Sequence, residues 1–359
     1  MEAYELSDVV RPAPLPRTAP LRLWIQSPAF DLTFFILSPL ISLPVLIIAP
    51  EGYSLLALTF GALLGAPHYL STFVFFFWEE NRSQHRAQWA VFFGGPLLIV
   101  STLVLAAVFR VPYIIQVTIY LWNTFHVARQ SCGILSIYRH HAGVTDPGVK
   151  SVINGAVMST SVAMAFWNIA WYPTLHRFLS IAWGRLPQAV AVLTAAAAVL
   201  ALARLGVSLA SRCRGDNPPR IPELAFLATS LLLFHPYLWI PDANRATLGM
   251  LLGHFVQYLG IVWLVHRRKF GSVARSSSRT WLARLSTSVP LLLLAILTAG
   301  GLFLAGQLIS DRTRLLQAMF EGGYLSLALV HFYLDGLFWA FRRPEVRQRL
   351  GPYLVGARA

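Results

Sequence analysis

Long apolar stretches recur from residue 30 to residue 341, each about the length of a bilayer crossing. A hydrocarbon core about 30 Å thick is crossed by about 20 apolar residues in a helix. Peptide groups in lipid find no water, so a crossing segment must be a helix or part of a closed barrel. Barrel strands alternate apolar and polar residues over about ten positions, and this chain shows no such alternation. The fold class expected is therefore all-α, a polytopic transmembrane helix bundle. Composition agrees: charged residues make up 12% and the mean hydropathy is +0.58, where a soluble domain carries about a quarter charged residues.

Ten spans are expected, at about 30–49, 53–78, 88–109, 113–137, 151–172, 187–204, 221–240, 245–266, 286–309 and 315–341. They divide the chain into an N-terminal tail (1–29), a transmembrane helical domain (30–341) and a basic C-terminal tail (342–359). Lys and Arg test the order. With the N-terminus inside, the inner segments hold 22 and the outer connections 6, and Arg129 within a span completes the 29. That asymmetry predicts both termini in the cytoplasm and suits a bacterial inner membrane. The net charge of +14 then belongs to basic loops facing anionic headgroups, and no nucleic-acid role is expected. The first 29 residues hold no apolar core followed by a small-residue cleavage site, so no cleaved signal peptide is expected. Cys132 and Cys213 make no disulfide framework.

Four histidines break the apolar runs: His68, His126, His254 and His331. An ionisable residue inside a span is costly and marks a functional site by default. In the predicted topology all four spans run outside to inside. The residues from each histidine to the inner end number 10 (to Trp78), 12 (to Tyr138), 12 (to His266) and 11 (to Arg342). At 1.5 Å per residue that is about 15–18 Å in every case, so the four share one level. Each has polar company at helical spacing: Asn123, Arg129 and Gln130 around His126, Gln257 after His254, and Asp335 after His331. Asp335 is a candidate ligand, a candidate orienter of an imidazole, or a partner for Arg129, while Asn123, Arg129, Gln130 and Gln257 are candidate supports for the ligands.

Imidazoles and a carboxylate at one depth suit a metal. Imidazole binds iron, copper, zinc and nickel, and histidines with a carboxylate and open positions form the non-haem iron(II) arrangement. Two alternatives stay open: haem held by axial histidines on facing helices, and a proton or ion path of the kind that His and Asp chains mark in transporters. His85, His176, His235 and His266 are expected at loops and span ends, with His140 and His141 at the membrane interface. Trp24, Trp78, Trp89, Trp122, Trp239, Trp263 and Trp339 are expected in the interfacial belt. No Gly-x-Ser-x-Gly, P-loop or dinucleotide fingerprint is present.

The set Pro67-His68-Tyr69, His126 with Gln130, His254 with Gln257 and His331 with Asp335 resembles polytopic membrane oxygenases that hold iron through histidines, in particular the bacterial membrane-bound carotene dioxygenases. The resemblance covers spans two, four, eight and ten. It implies an all-helical fold, non-haem iron, and oxidation of a hydrophobic, lipid-like substrate by dioxygen. The close histidine pair that those enzymes carry on one helix is absent here, as are the His-x-x-x-His boxes of membrane desaturases.

Overall fold

The computed structural model describes residues 23–48, 52–109, 112–144, 146–172, 184–215, 218–271, 284–285, 288–310 and 312–355. His176, the Ser276-Ser277-Ser278 loop and the Pro-rich start of the chain lie outside them. Among the described residues there are helices and turns and no strand.

The helices, in chain order, are α1 (Pro28–Asp31), α2 (Leu43–Ile47), α3 (Tyr53–Phe60), α4 (Ala66–Phe76), α5 (Glu79–Ala87), α6 (Gly95–Val108), α7 (Pro112–His141), α8 (Pro147–Trp171) and α9 (Leu186–Arg214). They continue as α10 (Ile221–Leu232), α11 (Pro236–Trp239), α12 (Ala243–Phe270), α13 (Val289–Ser310), α14 (Arg314–Phe338) and α15 (Pro344–Val355).

Seven helical stretches are long and apolar enough to cross a membrane, and a pair bent by 41° at Pro28–Ile36 and Ser38–Val45 makes up to eight. The protein is thus a multi-pass membrane protein by the length and apolarity of its helices. The sequence predicts ten spans. The difference lies in α7 and α14, which at 30 and 25 residues have the length but not the apolarity. Asn123, His126, Arg129 and Gln130 on α7, and Gln317, Glu321, His331 and Asp335 on α14, are what lower it.

Local chemistry accounts for the helix ends. Asp146 accepts a hydrogen bond from Gly148 N ahead of α8, Asp242 from Arg245 N ahead of α12, and Thr313 from Leu316 N ahead of α14; each satisfies an amide with no partner inside its helix. Prolines shape the spans differently. Pro39, Pro67 and Pro96 each follow shortly after a π-helical turn, at Leu32–Ile36, Gly61–Gly65 and Ala90–Gly94. Proline has no N–H to give to the ladder, and the wider turn just before it absorbs the mismatch. The turn before Pro67 keeps α3 and α4 in one continuous rod, Ser54–Phe76, and sets the rotation at which His68 leaves it.

α12 is the central post, with 78% of its apolar stretch buried, against 11% for α6 and 6% for α13, which are peripheral. The polypeptide backbone comes close to α12 beside His254. A Cβ on Gly253 would lie 2.8 Å from Leu233 and 3.2 Å from the Pro39 Cα. The broken N-terminal segment therefore seats directly against the histidine-bearing helix. Gly300 of α13 meets the π turn in the same way, 2.8 Å from the Ala62 carbonyl oxygen. Gly61 of the same turn faces α13 as well, where a Cβ would lie 3.4 Å from the Phe303 ring, the close helix approach that small residues allow.

Away from the centre, Arg212 of α9 and Glu223 of α10 form a buried two-bond ion pair at 2.6 and 2.8 Å. Asp31, fully buried, accepts hydrogen bonds from the Ile25 and Gln26 amides and from the Tyr138 hydroxyl. α15 caps one end. Its Arg349 bonds Asn81 and Gln84, and the carbonyls of Tyr353 and Leu354 accept from Arg268 of α12. The basic tail that the sequence marks as a separate segment thus contains a helix packed on the bundle.

Several residues expected at the interface are interior. His266 is buried between Trp78, whose indole N–H donates to its Nε2 at 3.0 Å, and the Val262 carbonyl, 2.8 Å from its Nδ1. Trp78 is itself 2% exposed. His85 stacks on Phe76 at 4.0 Å, and His141 is also buried. In these cases a neighbouring helix covers what would otherwise be a headgroup-facing position. Trp89 and Trp239 remain exposed, as an interfacial belt requires.

Candidate metal centre

Each of the four histidines comes from a different helix: His68 from α4, His126 from α7, His254 from α12 and His331 from α14. Their rings meet. His68 lies 4.7 Å from His254 and 4.4 Å from His331, centroid to centroid, and His126 lies 5.1 Å from both His254 and His331. Two sets of donor atoms are mutually within 4.8 Å: His68, His254 and His331, and His126, His331 and Asp335. His68, His254 and His331 are 0% exposed. Around them pack Phe255, 4.6 Å from the His68 ring, and Phe332, stacked on His126 at 4.2 Å.

A hydrogen-bond network decides which ring nitrogen of His331 faces the site. Thr72 Oγ1 lies 2.5 Å from His331 Nδ1, 2.7 Å from the Tyr258 hydroxyl and 3.0 Å from Asp335 Oδ1. The Tyr258 hydroxyl donates to the same carboxylate oxygen at 2.6 Å, and the Trp339 indole N–H donates to Tyr258 at 3.4 Å. With Asp335 ionised, the Tyr258 hydroxyl donates to the carboxylate and the Thr72 hydroxyl shares its single proton between the Tyr258 and Asp335 oxygens. The short contact at Nδ1 then takes its proton from the imidazole ring, because neither hydroxyl has another to give. His331 Nε2 is left with a bare lone pair. It faces Asp335 Oδ2 at 3.7 Å, and His126 Nε2 faces the same oxygen at 3.9 Å.

Both ring nitrogens of His68 and of His254, and Nε2 of His126 and of His331, are buried without a hydrogen-bond partner. A buried polar atom with no partner costs about 1–3 kcal/mol, and here six collect in one place. Metal ligands leave this signature when considered without their ion. Ligand bonds of about 2.0–2.2 Å bring donor atoms to about the separations found. Because Thr72 takes Nδ1 of His331, only one His331 nitrogen is free. Both donor sets use His331, and with Nδ1 taken by Thr72 its Nε2 is the atom they share.

The residues expected as supports separate on rotation about their helices. Asn123 is buried, with its Oδ1 unpartnered, and Gln130 is half-buried with neither amide atom bonded. Gln257 turns the other way: its amide nitrogen donates to the Phe35 carbonyl at 3.2 Å and the Ser38 hydroxyl at 3.1 Å, so it fastens the N-terminal segment to α12. Arg129 makes no pair with Asp335. It lies on the exposed stripe of α7 with Trp122 and Phe125, its guanidinium carbon 6.0 Å from the Phe125 ring centre. Three network members escaped the sequence reading: Thr72, Tyr258 and Trp339. Each stands four residues after a residue that it did single out, respectively His68, His254 and Asp335, which is the same-face spacing of a helix. Trp339, expected in the interfacial belt, is thus bonded into this network.

No family model matches the chain, and comparison with curated proteins and with solved structures likewise finds no match. The described geometry establishes histidine and aspartate clusters that could hold a metal ion.

Proposed function

We propose that this protein is a membrane-embedded, non-haem iron oxygenase of the bacterial inner membrane, acting on a hydrophobic, lipid-like substrate. Its iron ligands are His68, His126, His254, His331 and Asp335. In this reading all ten helical passes cross the bilayer, α7 and α14 included, with both termini in the cytoplasm. The observation that carries it is the convergence of unbonded imidazole lone pairs and one carboxylate oxygen, 3.7–3.9 Å apart where oxygen faces nitrogen. Without a cation between them these acceptors would oppose one another in a dry interior.

Iron is favoured by the donor set. Structural zinc is almost always four-coordinate, whereas five donors of histidine and carboxylate type suit an ion that takes five or six. A haem needs a slot for its ring between two axial ligands, and four imidazoles at 4.4–5.1 Å spacing fill that space with each other. Bound iron(II) would supply dioxygen activation. The chain supplies the rest. Thr72 presents the Nε2 lone pair of His331. Tyr258 and Thr72 hold Asp335 by one oxygen, so the other points at the ion. Phe255 and Phe332 keep bulk water out, and the bilayer delivers an apolar substrate.

Metal analysis of the purified protein tests this. About one iron per chain, no Soret band, and loss of iron in His68→Ala, His254→Ala and His331→Ala are expected. A full complement of metal in the triple variant, or a haem spectrum in the wild type, would overturn it.

A further inference from the structure

The centre is sealed on most sides, and the few exposed edges lie together. His68, His254 and His331 are 0% exposed, while the side chains of His126 and Asp335 are 10% and 7% exposed. These two residues come from α7 and α14. α7 packs chiefly on α8 and α14 chiefly on α6, while α7 touches α14 and α6 only lightly, so no extensive helix pairing closes the seam between α7 and α14. Gly336, next to Asp335, is exposed and has no atom within 4 Å of where a Cβ would stand. On the other lip, Trp122 is 47% and Phe125 52% exposed.

Arg129 stands on the same lip, one helical turn from His126, and is exposed. It has no carboxylate partner among the described residues, and its recorded contact is with the Phe125 ring. It is 9 residues from Tyr138, the inner end of the predicted span, or about 13.5 Å along the axis. A cation that deep in a bilayer is costly, rare and associated with function. A merely structural arginine would be paired or placed near a helix end, where it can reach the headgroups. This one is exposed, three residues from His126 at the accessible edge of the histidine cluster.

We infer that the seam between α7 and α14 is the route by which substrate reaches the centre from the bilayer, and that Arg129 binds its head group: the substrate is a long-chain amphiphile ending in a carboxylate. The inference rests on the iron-oxygenase reading and on α7 crossing the bilayer, and it names the substrate class for that site. Charge complementarity selects the head, and the aromatic lip of Trp122 and Phe125 suits the chain. Three residues separate Arg129 from His126, a rise of about 4.5 Å. The carbons presented to the centre are therefore those within a few bonds of the head group.

The test uses the full-length, iron-loaded protein in phosphatidylcholine nanodiscs, at a pH where oleate is ionised. A nitroxide-labelled stearate is the probe, and its immobilised fraction is read by electron paramagnetic resonance. Oleate is expected to displace it at about ten- to hundredfold lower concentration than oleyl alcohol, the range of one charge-assisted hydrogen bond. Arg129→Gln should abolish that difference, and Arg129→Lys should keep most of it, with iron content unchanged in both. Equal displacement by oleate and oleyl alcohol would overturn the inference, as would discrimination that survives in Arg129→Gln. Displacement by phosphatidylglycerol but not oleate would assign Arg129 to a phospholipid head group and also overturn it. Iron content measured on the same samples separates the two readings. Iron bound without head-group discrimination rejects only the amphiphile, and discrimination without iron rejects only the metal centre.

Discussion

Replacing Thr72 by valine removes one hydroxyl and little volume, yet it strikes three contacts at once: 2.5 Å to His331 Nδ1, 2.7 Å to Tyr258 and 3.0 Å to Asp335. Two consequences follow. In the folded protein, the His331 Nδ1 proton loses its acceptor in a fully buried site, which costs about 1–3 kcal/mol. The ring can relieve this by moving its proton to Nε2, where Asp335 Oδ2 lies 3.7 Å away. That tautomer cannot ligate, so metal binding then carries the cost of reversing it. Loss of a group that orients a histidine ligand in this way weakens metal affinity about 10- to 100-fold. Thr72→Ser keeps the oxygen and should stay close to wild type. The assay is competition for iron(II) against a chelator of known affinity, with cobalt(II) absorption as a second readout of ligand number. Unchanged affinity in Thr72→Val, or equal losses in Thr72→Val and Thr72→Ser, would refute the tautomer assignment.

Other regions give independent tests. Glu223→Gln leaves Arg212 buried without its two-bond partner; a loss of about 3–5 kcal/mol is expected, read as a lower unfolding temperature, and a change below 1 kcal/mol would contradict the burial described. Gly300→Val places a side chain 2.8 Å from the Ala62 carbonyl and should pry α13 from the π turn, raising hydrogen exchange along α13 while iron content is retained. In α5, burial and then the charge of Arg349 hold the His85 imidazole below its ordinary value of 6.5. The unfolded chain therefore takes up the proton first, and stability present above about pH 6.5 is lost as pH falls below it. Exchange protection of α5 and α15 should drop over that range in the wild type and not in His85→Gln.

How much was legible in advance depends on the kind of information each feature needs. The apolar runs and basic connections predicted an all-helical membrane protein, because crossing lipid constrains composition directly. Depth was legible too: counting along four helices placed His68, His126, His254 and His331 at one level, since rise per residue is fixed by helix geometry. The span count was less so. α7 and α14 carry polar residues, among them Asn123, His126, Gln130, His331 and Asp335, so they fall below the apolarity of the helices that are long and apolar enough to cross a membrane.

Rotation about each helix axis is what the sequence left open, and the tertiary structure decided it. Facing depends on which neighbours pack where, and those neighbours are distant in sequence. The π turn before Pro67 aims His68, Gly253 lets the N-terminal segment seat beside His254, and α8 turns Arg129 outward by covering the opposite face of α7. The same packing sends Gln257 to Phe35 and Ser38 instead of the imidazoles, and buries His266 against Trp78. Thr72 became visible as the orienting group only when α4, α12 and α14 were brought together, because its contacts to Tyr258 and His331 span 186 and 259 residues. The sequence by itself determined which residues lie deep in the bundle and at what level; only the fold determined which of them face one another.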